Sequence, residues 1–140
     1  LDRAVRFMMD DSTVKCVNVV YHSDYEQATD ENEVKVVIGA DGTMLYLSRE
    51  PIPAKWLGDK IFQYKIWVGI TVFTKASLGL YASLPSTPLE IIESVDMIRF
   101  LEHKVPMNVF IDDNITQSVD SPEDVPKVES LMLVDEYFPT

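Results

Sequence analysis

The sequence predicts an α/β fold: a layered, mixed sheet, mainly parallel, with one hairpin excursion. Two observations predict it. Runs of strand character at residues 14–21, 34–38, 66–73 and 106–111 alternate with segments of helical spacing at 74–82, 88–103 and 122–133. An Asp41-Gly42 pair between residues 34–38 and 43–48 supplies the φ > 0 position that a tight hairpin needs, and interrupts the alternation. With 140 residues, 46% of them hydrophobic, the chain can build one core, so residues 1–140 read as a single domain.

Taken in order, Leu1, Val5 and Met8 or Met9 recur at helical spacing, and Asp10-Asp11-Ser12 ends that helix. Residues 14–21 are β-branched and apolar, and read as a buried strand. Residues 22–33 are polar and acidic, a surface loop or short helix. Pro51 and Pro53 stop the strand at 43–48, because proline cannot donate to a ladder. Residues 54–65 form a loop containing aromatic side chains. Residues 66–73 are the most hydrophobic strand, a run suited to burial on both faces. Thr87-Pro88-Leu89-Glu90 opens the clearest helix, with Thr87 as cap and Glu90 returning to it, and the apolar line Ile91, Val95, Ile98 extends it to 103. Ser121-Pro122 opens the last helix, where Pro126 is tolerable because it falls in the first turns.

The formal net charge is −11. That excludes a basic nucleic-acid groove and an anionic membrane surface as partners. No apolar run approaches a membrane span. The one cysteine, Cys16, lies in an apolar run and reads as a buried spectator; with no disulfide and no signal-peptide pattern, a cytoplasmic setting is expected. The chain opens at Leu1 inside a helical pattern without an initiator Met, which reads as a segment of a longer protein.

Glycine-rich phosphate loops, HExxH and cysteine pairs are absent from the sequence. His22 and His103 sit in polar segments and read as surface residues. The informative stretch is Val119-Asp120-Ser121-Pro122-Glu123-Asp124. Ser121 caps, Pro122 fits the first position, and Glu123 and Asp124 complement the helix dipole. Asp120 precedes the cap, where strand-to-loop-to-helix junctions of α/β sheets form ligand crevices. Its carboxylate is either part of the helix start or a ligand for a hard cation such as Mg²⁺.

Three blocks in order resemble the cytidylyltransferases that make CMP-Kdo and, more distantly, CMP-sialic acid. The first runs from Val34-Lys35-Val36-Val37 through Leu45-Tyr46-Leu47-Ser48-Arg49 to Pro51-Ile52-Pro53. The second holds Gly69-Ile70, Phe73, and then Leu84-Pro85-Ser86-Thr87-Pro88-Leu89-Glu90 to Arg99. The third is Val119 to Asp124. The resemblance covers about residues 1–133 and corresponds to the C-terminal half, or somewhat more, of the family domain. It implies a Rossmann-like, three-layer nucleotidyltransferase fold whose N-terminal part is missing here. It implies transfer of CMP from CTP to an acidic sugar, with Mg²⁺ as cofactor, pyrophosphate as leaving group and a homodimer, or a missing N-terminal half, as partner. By motif position it makes Asp120 a Mg²⁺ ligand, sets Arg49 and Lys35 near the cleft with Arg49 contacting an anion, and draws the acceptor pocket from Trp67, Thr71, Phe73, Asp96 and Met97.

The match departs at defined positions. Trp67 stands where the Kdo enzymes typically have His, Phe73-Thr74 replace Tyr-Arg, and Met97 replaces an amide. Loss of hydrogen-bonding groups changes discrimination, so another sugar acid or a phosphonate fits the pattern as an acceptor. The family's N-terminal phosphate-binding loop and the second metal-binding aspartate are not in the chain. A non-catalytic interaction module of the same fold is therefore the competing expectation.

Overall fold

Valine-rich β1 (Cys16–Ser23) is the strand from which the rest of the sheet is placed: Cys16, Val17, Asn18 and Val20 have no solvent exposure. In the computed structural model the described residues are 1–54, 62–113, 119 and 121–134. Around β1 these form a five-stranded sheet of order β3-β2-β4-β1-β5, with β2 at Val34–Ile38, β3 at Met44–Ser48, β4 at Tyr64–Phe73 and β5 at Asn108–Ile111. The sheet is mixed, as expected, but its balance differs from expectation. β1–β5 is the parallel pair, whereas β1–β4, β2–β4 and β2–β3 are antiparallel. The reason is connectivity: the β2–β3 hairpin returns the chain so that β4 runs back along β1, and only a helical crossover brings β5 in parallel.

The hairpin forms where the Asp-Gly pair placed it. Gly42 has φ +80°, and the Asp41 carboxylate accepts the Thr43 N–H and hydroxyl at 3.0 and 2.7 Å. At the same corner Met44 N–H reaches Met107 O at 2.8 Å, so the start of β3 meets the start of β5.

Helices cover both faces. Cys16, Val20, Val34, Val36, Met44 and Leu47 pack with Val95, Met97, Ile98, Phe100 and Met107 into the main core. Val109 packs against that core, while its neighbour Phe110 meets Phe7 of α1 (Asp2–Asp10), with ring centroids 5.7 Å apart. Alternate strand residues face opposite ways, so α1 lies on the other face and the layers number three. α2 (Tyr25–Ala28) is one turn capped by Asp24, and α3 (Lys75–Ser83) is capped by Thr74.

Two expectations are corrected. The single helix over 88–103 is two: α4 (Pro88–Glu93) and α5 (Ile98–Glu102), split at Ser94, which is left-handed at φ 53°. The Val95 N–H closes the end on Glu90 O at 3.2 Å, and the reversal turns Val95, Met97 and Ile98 into the core, which a straight helix cannot do at that spacing. Nor is β4 buried on both faces, since Gly69 and Ile70 are exposed. Asn18 pairs with Thr71 and Val20 with Trp67, leaving Val68, Gly69 and Ile70 opposite Val19 alone. Such a bulge needs a residue tolerant of φ > 0, and Gly69 has φ +77°. The last helix begins as a 3₁₀ turn (Pro122–Asp124) and continues as α6 (Val125–Met132), with Pro126 in its first turn.

Candidate functional site

Five of the sequence-derived candidates fall into two groups about the α4–α5 junction. In the first group are Lys35 and Arg49. Lys35 is fully buried on β2, an interior strand, and its Nζ donates to Asp30 O at 2.8 Å and Glu33 O at 2.6 Å. Burial holds its pKa below the ordinary lysine value, with nearby Asp30 and Glu33 opposing that shift. Arg49, just past β3, donates from Nε to Glu93 O at 3.0 Å and from Nη1 to Glu31 O at 2.9 Å. Longer contacts run from Nη1 to Asn32 O and from Nη2 to Ser94 O, both 3.4 Å. The Glu93 carboxylate completes the cluster by accepting from the Tyr46 hydroxyl (3.2 Å), the Ser48 hydroxyl (3.0 Å) and the Arg49 N–H (3.1 Å). A cation at the carbonyl end of a helix is favourably placed against the dipole.

In the second group are Phe73, Asp96 and Met97. Phe73, Tyr81 and Phe100 form a ring cluster with centroids 5.5 to 6.1 Å apart. Tyr81 interacts with Asp96, and burial followed by that carboxylate's charge raises its pKa. Arg99 stacks over the Tyr81 ring, 4.6 Å from its centroid. Arg99 is held bidentate by Glu90 and also reaches the Ser86 hydroxyl at 3.2 Å. Asp96 is exposed beside this cluster, whereas Met97 is buried in the core and presents almost no surface.

Trp67 and Thr71 flank the β4 bulge. The Trp67 indole N–H donates to Ile70 O at 3.2 Å, across the bulge. The Thr71 hydroxyl donates to Asn18 Oδ1 at 2.7 Å, and the buried Asn18 amide has Met107 Sδ as its other partner at 3.5 Å. The structure thus sets Phe73 and Asp96 beside Tyr81, with Met97 in the core that Phe73 packs against, puts Trp67 and Thr71 at the bulge farther back along β4, and commits the polar groups of Trp67 and Thr71 to internal bonds.

Asp120 lies outside the described residues. Among those described, no three His, Cys, Asp or Glu side chains gather as a metal site. Mg²⁺ takes several oxygens in octahedral array, so the described residues do not by themselves fit the ion. Just beyond Asp120, the Asp124 carboxylate accepts the Ser121 N–H and hydroxyl at 3.1 and 2.8 Å, which makes Ser121 and Asp124 a capping pair. His22 is paired with Asp113 at 2.9 Å, and His103 with Arg99 O at 2.9 Å. Cys16 is buried, and burial pushes its thiol pKa up to about 12.

Sequence reasoning missed Glu93, Tyr81 and Asn18. An amide inside the apolar run from Val14 to Val20 is a signal the chain does carry. Glu93 gives none, because its partners come from a strand 44 to 47 residues away.

A three-layer α/β chain with these blocks has a fold like that of nucleotidyltransferases, and the comparisons narrow the likeness. No family model matches the chain. The 3-deoxy-manno-octulosonate cytidylyltransferase of Chlamydia pneumoniae is 37% identical over 122 residues, covering 86% of this chain and 47% of the relative. That of Desulfosudis oleivorans is 36% identical over 109 residues, covering 78% and 44%, and that of Chlorobium limicola 30% over 135 residues, covering 94% and 55%. The fold superposes with a TM-score of 0.86 on a CMP:2-keto-3-deoxy-manno-octonic acid synthetase solved in complex with CTP, at 27% identity, over 94% of this chain and 54% of that one. The chain resembles the CMP-Kdo synthetases in sequence and in fold, and spans about half the length of the curated relatives it matches. Among the described residues no helix is long and apolar enough to cross a membrane.

Proposed function

We propose that this chain is part of a cytidylyltransferase that moves CMP from CTP to a Kdo-like 2-keto sugar acid and releases pyrophosphate. The observation that supports it most is the superposition, at TM-score 0.86, on a synthetase holding CTP, by a chain whose own motifs lead to the same family.

In the reaction a hydroxyl of the acid attacks the α-phosphorus of CTP. The acid is an anion and so is the triphosphate, so the barrier is dominated by charge crowding, and fixed donors and cations must offset it. In the proposed arrangement the acceptor rests against the β4 bulge and the α4–α5 junction, with Phe73 and Trp67 as apolar walls and Asp96 as the exposed polar group. Asp120 is proposed to give one oxygen to Mg²⁺, with a second carboxylate proposed to come from the rest of the full-length protein. The relatives are about twice as long, and the activity is proposed for the whole protein, as a homodimer or with its other half.

The test is pyrophosphate release by the full-length protein, with CTP, UTP and ATP compared and Kdo set beside other sugar acids and a phosphonate. CTP with Kdo is expected to be preferred, the reaction to require Mg²⁺, and Asp120→Ala to abolish turnover. A full-length protein that neither releases pyrophosphate nor binds CTP would leave an interaction module of this fold as the better reading.

A further inference from the structure

We infer that Arg49 is a positioning residue that sets the Asp96–Met97 turn, acting through the end of α4 and not by meeting a phosphate. The inference rests on the acceptor side of the proposed function.

Two cations share one loop. The carbonyls of four consecutive residues, Asp30 to Glu33, are all taken: the outer two by Lys35 and the middle two by Arg49. Arg49 also holds the carbonyls of Glu93 and Ser94, the two residues that immediately precede Val95-Asp96-Met97. Of the five N–H donors of a guanidinium, four are aimed at backbone oxygens, and the fifth alone is left for a ligand. An arginine kept for an incoming anion would present a free fork of donors; this fork is closed.

The junction it holds needs holding. Ser94 is a non-glycine residue in the left-handed region, a conformation that persists when the surroundings over-determine it. Here they do so from three sides: the guanidinium on the Glu93 and Ser94 carbonyls, the Glu93 carboxylate on β3, and Val95 in the core. Moving Ser94 out of that conformation would swing Asp96 away from Tyr81 and lift Met97 from its bed.

The experiment uses full-length protein with Arg49→Lys and Arg49→Ala, and reads amide hydrogen exchange at residues 93–98 together with KM for Kdo and for CTP. Expected for Arg49→Ala are at least tenfold faster exchange across 93–98 and a KM for Kdo raised about tenfold, with KM for CTP changed less than twofold. Lysine keeps the charge but cannot span four carbonyls, so Arg49→Lys should resemble Arg49→Ala. A direct phosphate contact predicts the opposite: KM for CTP rises, Arg49→Lys rescues it, and exchange at 93–98 stays as in wild type. Unchanged exchange at 93–98 overturns the inference whether or not the protein is active. A wild type without turnover instead sinks the cytidylyltransferase reading.

Discussion

Replacing Lys35 by Met tests the least expected arrangement in the structure, a fully buried ammonium held by backbone carbonyls. The substitution keeps the apolar stem and removes the charge. The Asp30 and Glu33 carbonyls lose donors at 2.8 and 2.6 Å, although Asp30 O keeps the Glu33 N–H at 3.2 Å. A hydrogen bond to a charged group contributes about 1.5–3 kcal/mol, so the two together are worth roughly 3–6 kcal/mol. Relief from burying an ammonium, several kcal/mol by itself, offsets much of that. The net expected is a loss of about 2 kcal/mol, or a melting temperature lower by roughly 6–8 °C for a chain of this size. The pH dependence has a definite sign. Burial lowers the native pKa below 10.5, so between the two values the unfolded chain binds more protons than the native one. Wild-type stability therefore gains with rising pH across that window relative to Lys35→Met. Thermal and urea unfolding of both proteins at pH 7 and pH 9.5 measure it. A variant that melts at or above wild type at pH 7, or a gap that narrows at pH 9.5, would refute the reasoning.

Three other outcomes are expected. Phe100→Ala removes a fully buried ring that touches Phe73 and Tyr81, and should cost about 3–5 kcal/mol in urea unfolding. The Arg99 hydrogen bonds hold the Glu90 carboxyl below its ordinary value, so its stabilisation is complete above about pH 4.5 and is lost as pH falls through the lowered native value; Glu90→Gln should flatten that acid-side loss in thermal melts. Cys16, buried with its thiol pushed up to about 12, should resist iodoacetamide at pH 8 in the native protein and react on unfolding, as mass spectrometry would report.

The backbone was largely legible because its signals are local. Val34-Lys35-Val36-Val37-Ile38 with Asp41-Gly42 defines a strand and its turn within nine residues, and Thr87-Pro88 with Glu90 fixes a helix start within four. The misread elements depend on partners distant in the chain. Ile91, Val95 and Ile98 keep helical spacing through Ser94, and the bonds made at that turn come from residues at the end of β3 and just past it, more than 40 residues away. Lys35 in a valine-rich strand gives no sign of its full burial until the strands on both sides of it are known. Of the candidate site, the segments were legible only in that Phe73 and Asp96 both neighbour Tyr81. The state of each side chain was not, because whether Arg49 faces a ligand or a carbonyl is decided by backbone oxygens, which every residue has.

The parallel pairing of β1 with β5 joins residues 17–20 to residues 108–111. During synthesis the strand with the least exposed side chains must therefore wait, one flank bare, while some ninety residues are made. A late pairing over such a separation is slow to find, and an unoccupied flank invites a neighbouring nascent chain. Stalling or truncation before residue 108 should thus yield aggregates, and not a smaller soluble fold.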